Sequence, residues 1–227
     1  MTAKSVFITG GTGYIGRVLI PRLLDRGHEV RALVRPGSER KLPSGCEAVV
    51  GNALDAPSFA ERVAPSDTFV QLVGVPHPSP AKAAEFQSID AASARASVSA
   101  AAGGGVQHFV YVSVAQPAPV MKAYQGARAE GELMIRDSGL DATILRPWYV
   151  LGPGHRWPYA LIPMYWLFGL LPVTRDAALR LGLVTLEEMV WALVGSIESP
   201  ASQIRILDVP SIRSAAPASL THAVPAG

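Results

Sequence analysis

Short apolar runs alternate along the chain with stretches in which apolar residues recur at helical spacing. The first run covers residues 5–9, and after several glycines the helical spacing begins near Tyr14 and stops at Gly27. This order predicts a strand, a tight turn and a helix. Further strands are predicted at 29–34, 48–50, 68–73, 108–112, 143–145 and 204–209, and further helices at 57–63, 82–102, 123–137 and 186–197.

The strands are short and nearly continuous in apolar residues, and most are separated by a helix. This pattern is typical of an α/β protein whose parallel sheet is covered by helices on both faces. At the start of the last helix, Thr185 and Glu188 have the spacing of a capping box. We therefore expect a doubly wound parallel sheet.

The glycines after the first strand form the most informative motif. Residues 11–16 satisfy G-x-G-x-x-G, and Gly10, Gly13 and Gly16 are also spaced by three. Glycines in this position allow a sharp turn, close approach of the backbone to a pyrophosphate and close packing of helix on strand, while the helix N-terminus offers free N–H groups. We expect a Rossmann-type fold in which residues 10–16, including Tyr14 and Ile15, bind a dinucleotide.

The end of the second strand selects between the two nicotinamide cofactors. An acidic residue there binds a ribose 2′-hydroxyl, whereas an arginine accommodates a 2′-phosphate. The residue is Arg35, and Ser38, Arg40 and Lys41 follow it. This predicts a preference for NADP, with a solvated basic loop as the alternative interpretation.

Composition narrows the classes of protein that fit. Apolar residues make up 49% and charged residues 17%, which excludes disorder, and the net charge of +2 is spread too evenly for a nucleic-acid surface. The single cysteine, Cys46, cannot form an internal disulfide, and no secretory leader follows Met1, so a cytoplasmic protein is expected. The histidines are scattered without ligand spacing, and no metal is expected.

The chain resembles the short-chain dehydrogenase/reductase superfamily, in its atypical and extended branches that include NmrA-like NAD(P)-binding proteins. The resemblance runs from residue 4 to about residue 155. Its motifs are the sequence TGGTGYIG at 9–16, GNALD at 51–55, YVS at 111–113, Tyr124 with Arg128, and LRP at 145–147 followed by Gly152 and Pro153.

The resemblance implies a role for residues after each later strand. Asn52, Ala53 and Leu54 would lie beside the adenine, Val73 and Gly74 beside the ribose, and Pro147 near the nicotinamide. Ser113 would hydrogen-bond a substrate oxygen. Tyr124 would donate or accept its proton.

The chain departs from the resemblance at one position of the motif. Family enzymes carry Tyr-x-x-x-Lys, and the fourth residue after Tyr124 is Arg128. Four positions along a helix place both side chains on one face. A free tyrosine has a pKa of about 10, so it is a poor base at neutral pH. A nearby cation favours its charged form, and arginine can supply that cation. Its planar fork differs from an ammonium, however, so the ribose contacts of the family lysine need not be kept.

Three functions remain open from the sequence. The first is an NADP-dependent reductase of a carbonyl group, with Tyr124 as acid, Ser113 orienting the oxygen and Arg128 assisting Tyr124. The second is an NADP-binding sensor or regulatory protein without turnover. The third is an accessory protein with a structural cofactor.

An apolar run at residues 159–173 contains no charge and two prolines. It is too short and too broken to span a bilayer. The alternatives are a lid over an apolar substrate, a partner-facing helix and an interfacial membrane contact. We expect a Rossmann domain at 1–150, a small substrate region at 151–210 and a disordered tail at 211–227, with a homodimer left open.

Overall fold

Seven parallel strands form the central sheet of the computed structural model, which describes residues 2–153 and 180–217. The strands are β1 (Ser5–Thr9), β2 (Glu29–Val34), β3 (Cys46–Val50), β4 (Thr68–Gln71), β5 (His108–Val112), β6 (Ala142–Leu145) and, after the short pair β7 (Tyr149–Leu151) and β8 (Leu183–Thr185), β9 (Ile204–Leu207). Their order in the sheet is β3-β2-β1-β4-β5-β6-β9, and β7 pairs with β8 separately.

Helices cover both faces of this sheet. They are α1 (Gly16–Asp25), α2 (Ala83–Glu85), a π-helical turn (Phe86–Ala91), α3 (Ala92–Gly103), α4 (Lys122–Ser138), α5 (Leu186–Glu198) and α6 (Val209–Ser214). Helix α1 packs with α5 on one face, and α3 packs with α4 on the other. The predicted doubly wound Rossmann-type fold is confirmed.

The alternation of side chains along β1 divides the core into two layers. Val6 and Ile8 pack with Leu19 of α1 on one face, and Phe7 points to the other. There Phe7, Phe69 and Phe109 occupy paired positions on three neighbouring strands, with successive ring centroids 5.2 Å apart. All three rings are fully buried, so this ladder joins the centre of the sheet to the α3–α4 layer.

Several predicted elements differ in the structure. The helix predicted at 82–102 is divided into α2, the π-helical turn and α3, and the strand predicted at 204–209 ends at Leu207. Instead of a helix at 57–63 there are two 3₁₀ turns, Ala56–Ser58 and Ala60–Arg62. The hydroxyl of Ser58 donates to the Asp55 carbonyl at 2.6 Å, and such local bonds compete with helix formation. The fourth strand ends at Gln71 rather than residue 73, and beyond it the Val73 carbonyl accepts from a side chain, Nε2 of Gln71, at 3.3 Å.

The C-terminal part of the chain belongs to the main body. Strand β9 pairs with β6, and α6 buries Val209 and Ile212 against the α1–α5 layer. Residues 211–214, expected in the tail, are therefore helical, and β9, α5 and α6 contribute to the sheet and its core. Helix α5 begins at the predicted capping box, in which the Glu188 N–H donates to the Thr185 hydroxyl at 3.1 Å.

No helix within the two described ranges is long and apolar enough to cross a membrane. The apolar run at 159–173 and residues 218–227 lie outside the described residues, so the expectations for them stay predictions.

Candidate cofactor and substrate site

The predicted site residues follow the carboxyl ends of the strands. Because the strands are parallel, these ends meet at one edge of the sheet. The connections from β1 and β4 run to opposite faces, so a crevice opens between these two neighbouring strands, where open α/β sheets bind ligands. The residues directly after the strands are Gly10, Arg35, Gly51, Leu72, Ser113 and Arg146.

The glycine loop after β1 is built for close contact. Gly10 has a φ of +79°, and a Cβ there would lie 2.9 Å from the Leu72 carbonyl carbon. A Cβ on Gly16 would lie 2.5 Å from the carbonyl oxygens of Gly10 and Gly11. The turn is closed by the Gly13 N–H, which donates to the Gly10 carbonyl at 3.0 Å. Larger residues would force α1 away from β1.

The residues of this loop fit a pyrophosphate. Helix α1 has no side-chain cap at its N-terminus, and the backbone N–H groups of Thr12 and Ile15 have no partner among the described residues. Free N–H groups and the helix dipole favour an anion here. Tyr14 closes the outer side of the loop: a Cβ on Gly152 would overlap its hydroxyl, and the guanidinium of Arg17 lies 5.5 Å from its ring centroid.

The segment expected beside the adenine is an ordered turn. The Asn52 side-chain oxygen accepts from the Leu54 N–H at 3.1 Å, and Leu54 is an exposed apolar side chain. Ala53 is half-buried against the Phe7 side of the core. A shallow hollow of about 290 Å³ lies between this turn and the first turns of α3, lined by Leu54, Asp55, Ala56, Ala92, Arg95, Ala96 and Ser99.

Arg35 is exposed at the end of β2. The turn after it is closed by the Ser38 N–H, which donates to the Arg35 carbonyl at 3.0 Å. The Arg35 guanidinium makes no hydrogen bond or ion pair with the described part of the chain, so it is free to meet a ligand phosphate. The preference for NADP stays a prediction.

Tyr124 lies in the first turn of α4, with its ring in a small apolar cluster. Its centroid is 5.0 Å from that of Phe86, and Val75, which follows β4, belongs to the same cluster. The tyrosine is half-buried, and its hydroxyl makes no hydrogen bond within residues 2–153 and 180–217. That hydroxyl is therefore able to donate a proton to a ligand.

Arg128 is buried below Tyr124. Its Nη2 lies 2.7 Å from Oδ1 of Asp90, and its Nη1 donates to the Val112 carbonyl at 2.9 Å. The guanidinium carbon is 5.4 Å from the centroid of the Tyr124 ring, which confirms that both side chains lie on one helix face.

The charges of this buried pair depend on each other. Burial raises the pKa of Asp90, an effect that Arg128 and the Val75 N–H partly offset. For Arg128, burial favours the neutral form, but Tyr124, Tyr111 and Asp90 raise its pKa on balance, so the arginine stays charged. The cation is therefore matched by Asp90 inside the protein. Asp90 lies in the π-helical turn and has no sequence motif that would have identified it.

Ser113 follows β5, and its hydroxyl is already committed. It donates to Oε1 of Glu132 at 2.6 Å, and the serine is 2% exposed. Glu132 also accepts from Nε2 of Gln116 at 3.0 Å and from Nε and Nη2 of Arg146 at 2.9 and 2.5 Å. Toward a ligand, Ser113 can then only accept a hydrogen bond. Glu132 was missed by the sequence analysis, although it lies one helical turn after Arg128.

A larger cavity of about 440 Å³ opens beyond Ser113, at the ends of β5, β6 and β9. It is lined by Ala115, Gln116, Arg146, Arg180, Ile206, Asp208 and Pro210. Pro147, expected near the nicotinamide, is buried beside it, and its carbonyl accepts from the Ala115 N–H at 2.9 Å. The cavity mixes apolar and charged groups, so it fits a molecule with both kinds of surface.

Among the described residues, no group of three His, Cys, Asp or Glu side chains could hold a metal ion. His155 and the other residues of 154–179 lie outside them.

A comparison with protein-family models matches residues 10–157 to a family described as NAD(P)H-binding. That match covers more than half of the chain, including the glycine loop, Ser113, Tyr124 and Arg128. The chain belongs to this NAD(P)H-binding family. The resemblance to the short-chain dehydrogenase/reductase superfamily is thereby confirmed, and the fold with its cradle of glycines is that of an NAD(P)-binding, oxidoreductase-like protein.

Two of the relatives are named as reductases. The chain is 28% identical to ceramide reductase of Caulobacter vibrioides over 198 residues, which are 86% of this chain and 61% of the relative. It is 25% identical over 168 residues to a 4-hydroxy-2-methyl-3-oxo-4-farnesyl-3,4-dihydroquinoline-1-oxide ketoreductase of Stigmatella aurantiaca, 64% of this chain and 50% of the relative. The chain thus spans less than two thirds of the length of either relative.

Among solved structures, the Bordetella bronchiseptica enzyme WbmH in complex with NAD⁺ has the same fold. The TM-score is 0.69 over 91% of this chain and 76% of the neighbour, at 20% sequence identity. At that identity the likeness concerns the fold alone.

Proposed function

We propose that this protein is an NADP-dependent reductase that acts on a carbonyl group of an apolar small molecule. The observation that carries the proposal is the placement of Tyr124. Its free hydroxyl lies on α4, beside the end of β4 and the crevice to which the glycine loop belongs.

The chain's own residues fit the cofactor. The N–H groups at the start of α1 would bind the pyrophosphate, the turn at Asn52–Leu54 would meet the adenine, and Arg35 would bind the 2′-phosphate. Val73 and Gly74 would form the floor below the ribose. A bound reduced nicotinamide supplies the hydride.

Tyr124 would donate the proton to the substrate oxygen. A positioned acid of this kind contributes roughly 10²–10⁴-fold to the rate. Ser113 would accept a hydrogen bond from the hydroxyl of the alcohol product and would make none with the carbonyl substrate, since its own proton is donated to Glu132. Its contribution should therefore be smaller than that of Tyr124.

The substrate class is inferred from two observations. The cavity beside Ser113 has apolar walls at Ala115, Ile206 and Pro210 together with charged groups. The names of the two reductase relatives contain ceramide and a farnesyl group, both of which carry long apolar chains. Both features favour an apolar molecule with a polar end that bears the carbonyl.

The test is turnover of NADPH with a panel of long-chain ketones, aldehydes and farnesylated quinolones, followed at the absorbance band of reduced nicotinamide. Tyr124→Phe should lower kcat at least about 100-fold, and Ser113→Ala less. NADPH affinity, measured by fluorescence titration, should change little in both variants. Equal turnover by the wild type and Tyr124→Phe would contradict the assignment of Tyr124.

Cofactor preference has its own test. Arg35→Ala should weaken NADPH about 10- to 100-fold, the loss of a charge-assisted pair, and leave NADH affinity nearly unchanged. Arg136→Ala is the matched control, because Arg136 is an exposed arginine at the far end of α4. If Arg35→Ala weakens both cofactors alike, Arg35 does not read the phosphate.

A second candidate is an NADP-binding sensor without turnover. It is favoured because two polar side chains of the family motif already have partners within the protein. Arg128 pairs with Asp90, and Ser113 donates to Glu132. Tight NADPH binding with no reduction of any compound, and no effect of Tyr124→Phe, would establish this alternative.

A further inference from the structure

Both terminal nitrogens of the Arg128 guanidinium have partners in the protein. Asp90 lies at Nη2, the Val112 carbonyl at Nη1, and the ring of Tyr111 has its centroid 5.8 Å from the guanidinium carbon. Arg128 is only 5% exposed. A side chain held in this way has little freedom to turn toward a bound ribose.

The same side chain joins the ends of two strands. The ladder between β4 and β5 ends at the pair Gln71 and Tyr111. Beyond it, Nη1 of Arg128 reaches the carbonyls of both Val112, at 2.9 Å, and Val73, at 3.5 Å. The guanidinium thus continues the connection between the strands where the backbone no longer does.

Gly74 is shaped by this arginine. A Cβ on Gly74 would overlap Nη2 of Arg128, would lie 3.2 Å from its guanidinium carbon, and would lie 3.1 Å from Oδ1 of Asp90. Its φ is not in the left-handed region, so backbone conformation does not require glycine here. Glycine is required at this position because a side chain would collide with Arg128 and Asp90 in the protein interior.

We propose that Arg128 is a positioning residue: with Asp90 as its counterion it fixes the Val73–Gly74 backbone, and Gly74 is glycine to make room for the guanidinium. This role rests on the proposed function, in which that backbone is the floor below the cofactor. In this arrangement Asp90 is part of the site, and Arg128 makes no direct contact with the ribose.

The decisive experiment is a rescue. Gly74→Ala should weaken NADPH binding at least about 10-fold, because a displaced guanidinium moves the floor. A lysine at 128 ends near the position of the guanidinium carbon, so Arg128→Lys vacates the space at Nη2. The double variant Gly74→Ala/Arg128→Lys should then bind NADPH within about threefold of Arg128→Lys alone. If the two losses simply add, Gly74 serves the cofactor and the proposal is wrong.

The counterion is tested by a second pair of variants. Asp90→Asn and Arg128→Lys should weaken NADPH binding by similar factors, and the double variant should be no worse than either single one. Glu198→Gln, which breaks the ion pair with Arg26, is the control for general destabilisation and should leave NADPH affinity unchanged. Unaltered NADPH affinity in Asp90→Asn, with a loss in Arg128→Lys, would place Arg128 on the cofactor and overturn the proposal.

Urea unfolding of the same variants separates this inference from the proposed function. If wild-type protein binds neither NADPH nor NADH, the proposed function fails. The rescue of Gly74→Ala by Arg128→Lys can still be measured as unfolding midpoint or soluble yield, and its absence rejects the packing relation.

Discussion

Two buried carboxylates determine which polar side chains of the site can reach a ligand. Glu132 takes the donors of Ser113, Gln116 and Arg146, and Asp90 takes that of Arg128. Leaving a buried carboxylate without its partner costs about 3–5 kcal/mol. The N–H and O–H groups that satisfy them are therefore held in place, and Tyr124 keeps the free hydroxyl.

A buried histidine should make stability depend on pH. Burial, and after it the charge of Arg205, lowers the pKa of His108 to about 4. The unfolded chain, with a histidine pKa of about 6.5, then binds a proton that the folded chain rejects, so stability falls as pH decreases from 6.5 to 4. Between pH 7 and pH 4.5, the wild type should lose roughly 2–3 kcal/mol more unfolding free energy than His108→Gln.

Urea unfolding of wild-type protein and His108→Gln at both pH values measures this difference. The pKa values of Glu198 and Asp208 are lowered by hydrogen bonds to Arg26 and to Ser211. The stability that these two carboxylates contribute is lost in acid in both proteins, so it cancels in the comparison. Parallel pH profiles would show that His108 is not the titrating group.

At the scale of elements, glycines determine how closely helices approach the sheet. Gly16 lets α1 start against the carbonyls of Gly10 and Gly11, and a Cβ on Gly131 of α4 would overlap the hydroxyl of Tyr111 on β5. Only the first of these belongs to a recognisable motif. The second becomes visible only when α4 is placed on its strand.

Gly16→Ala should lower the free energy of unfolding by about 1–3 kcal/mol, because its Cβ would lie 2.5 Å from two carbonyl oxygens and α1 must move. The displacement should also weaken NADPH binding at least about 10-fold. The matched control is Gly195→Ala in α5. A Cβ there meets nothing within 4 Å, so the substitution should stabilise the helix by about 0.5–1 kcal/mol. Equal effects of the two substitutions in urea unfolding would contradict this account.

At the scale of the molecule, the C-terminal residues close the core. Strand β9 adds the last strand to the sheet, and α6 buries Ile212 completely in the layer that contains α1 and α5. This connection makes residues 183–214 part of the same folding unit as the glycine loop.

Ile212→Ala should therefore cost about 2–5 kcal/mol of unfolding free energy, as expected for a cavity in a core. Ile206→Ala on β9 serves as the control, since Ile206 is 39% exposed and its truncation should cost less than about 1 kcal/mol. Denaturation in urea compares the two. A small loss for Ile212→Ala would mean that α6 is not part of the core.

The sequence by itself determined the sheet, most of its helices and the glycine loop. Their signals are local: apolar periodicity, the capping residues Thr185 and Glu188, and glycines that follow a strand. The bounds of β1, β2 and β5 were predicted to the residue, because each is a short run rich in apolar residues.

Only the tertiary structure decided what the polar residues of the site are free to do. Asp90 and Arg128 are 38 positions apart, and Ser113 and Glu132 are 19 positions apart, so no local pattern connects them. Their pairing follows from the packing of α4 against the π-helical turn and the end of β5, which buries charges that must then find partners. The sequence motif groups Ser113, Tyr124 and Arg128. In the structure Ser113 and Arg128 are buried against carboxylates, whereas the Tyr124 hydroxyl makes no hydrogen bond with the described residues.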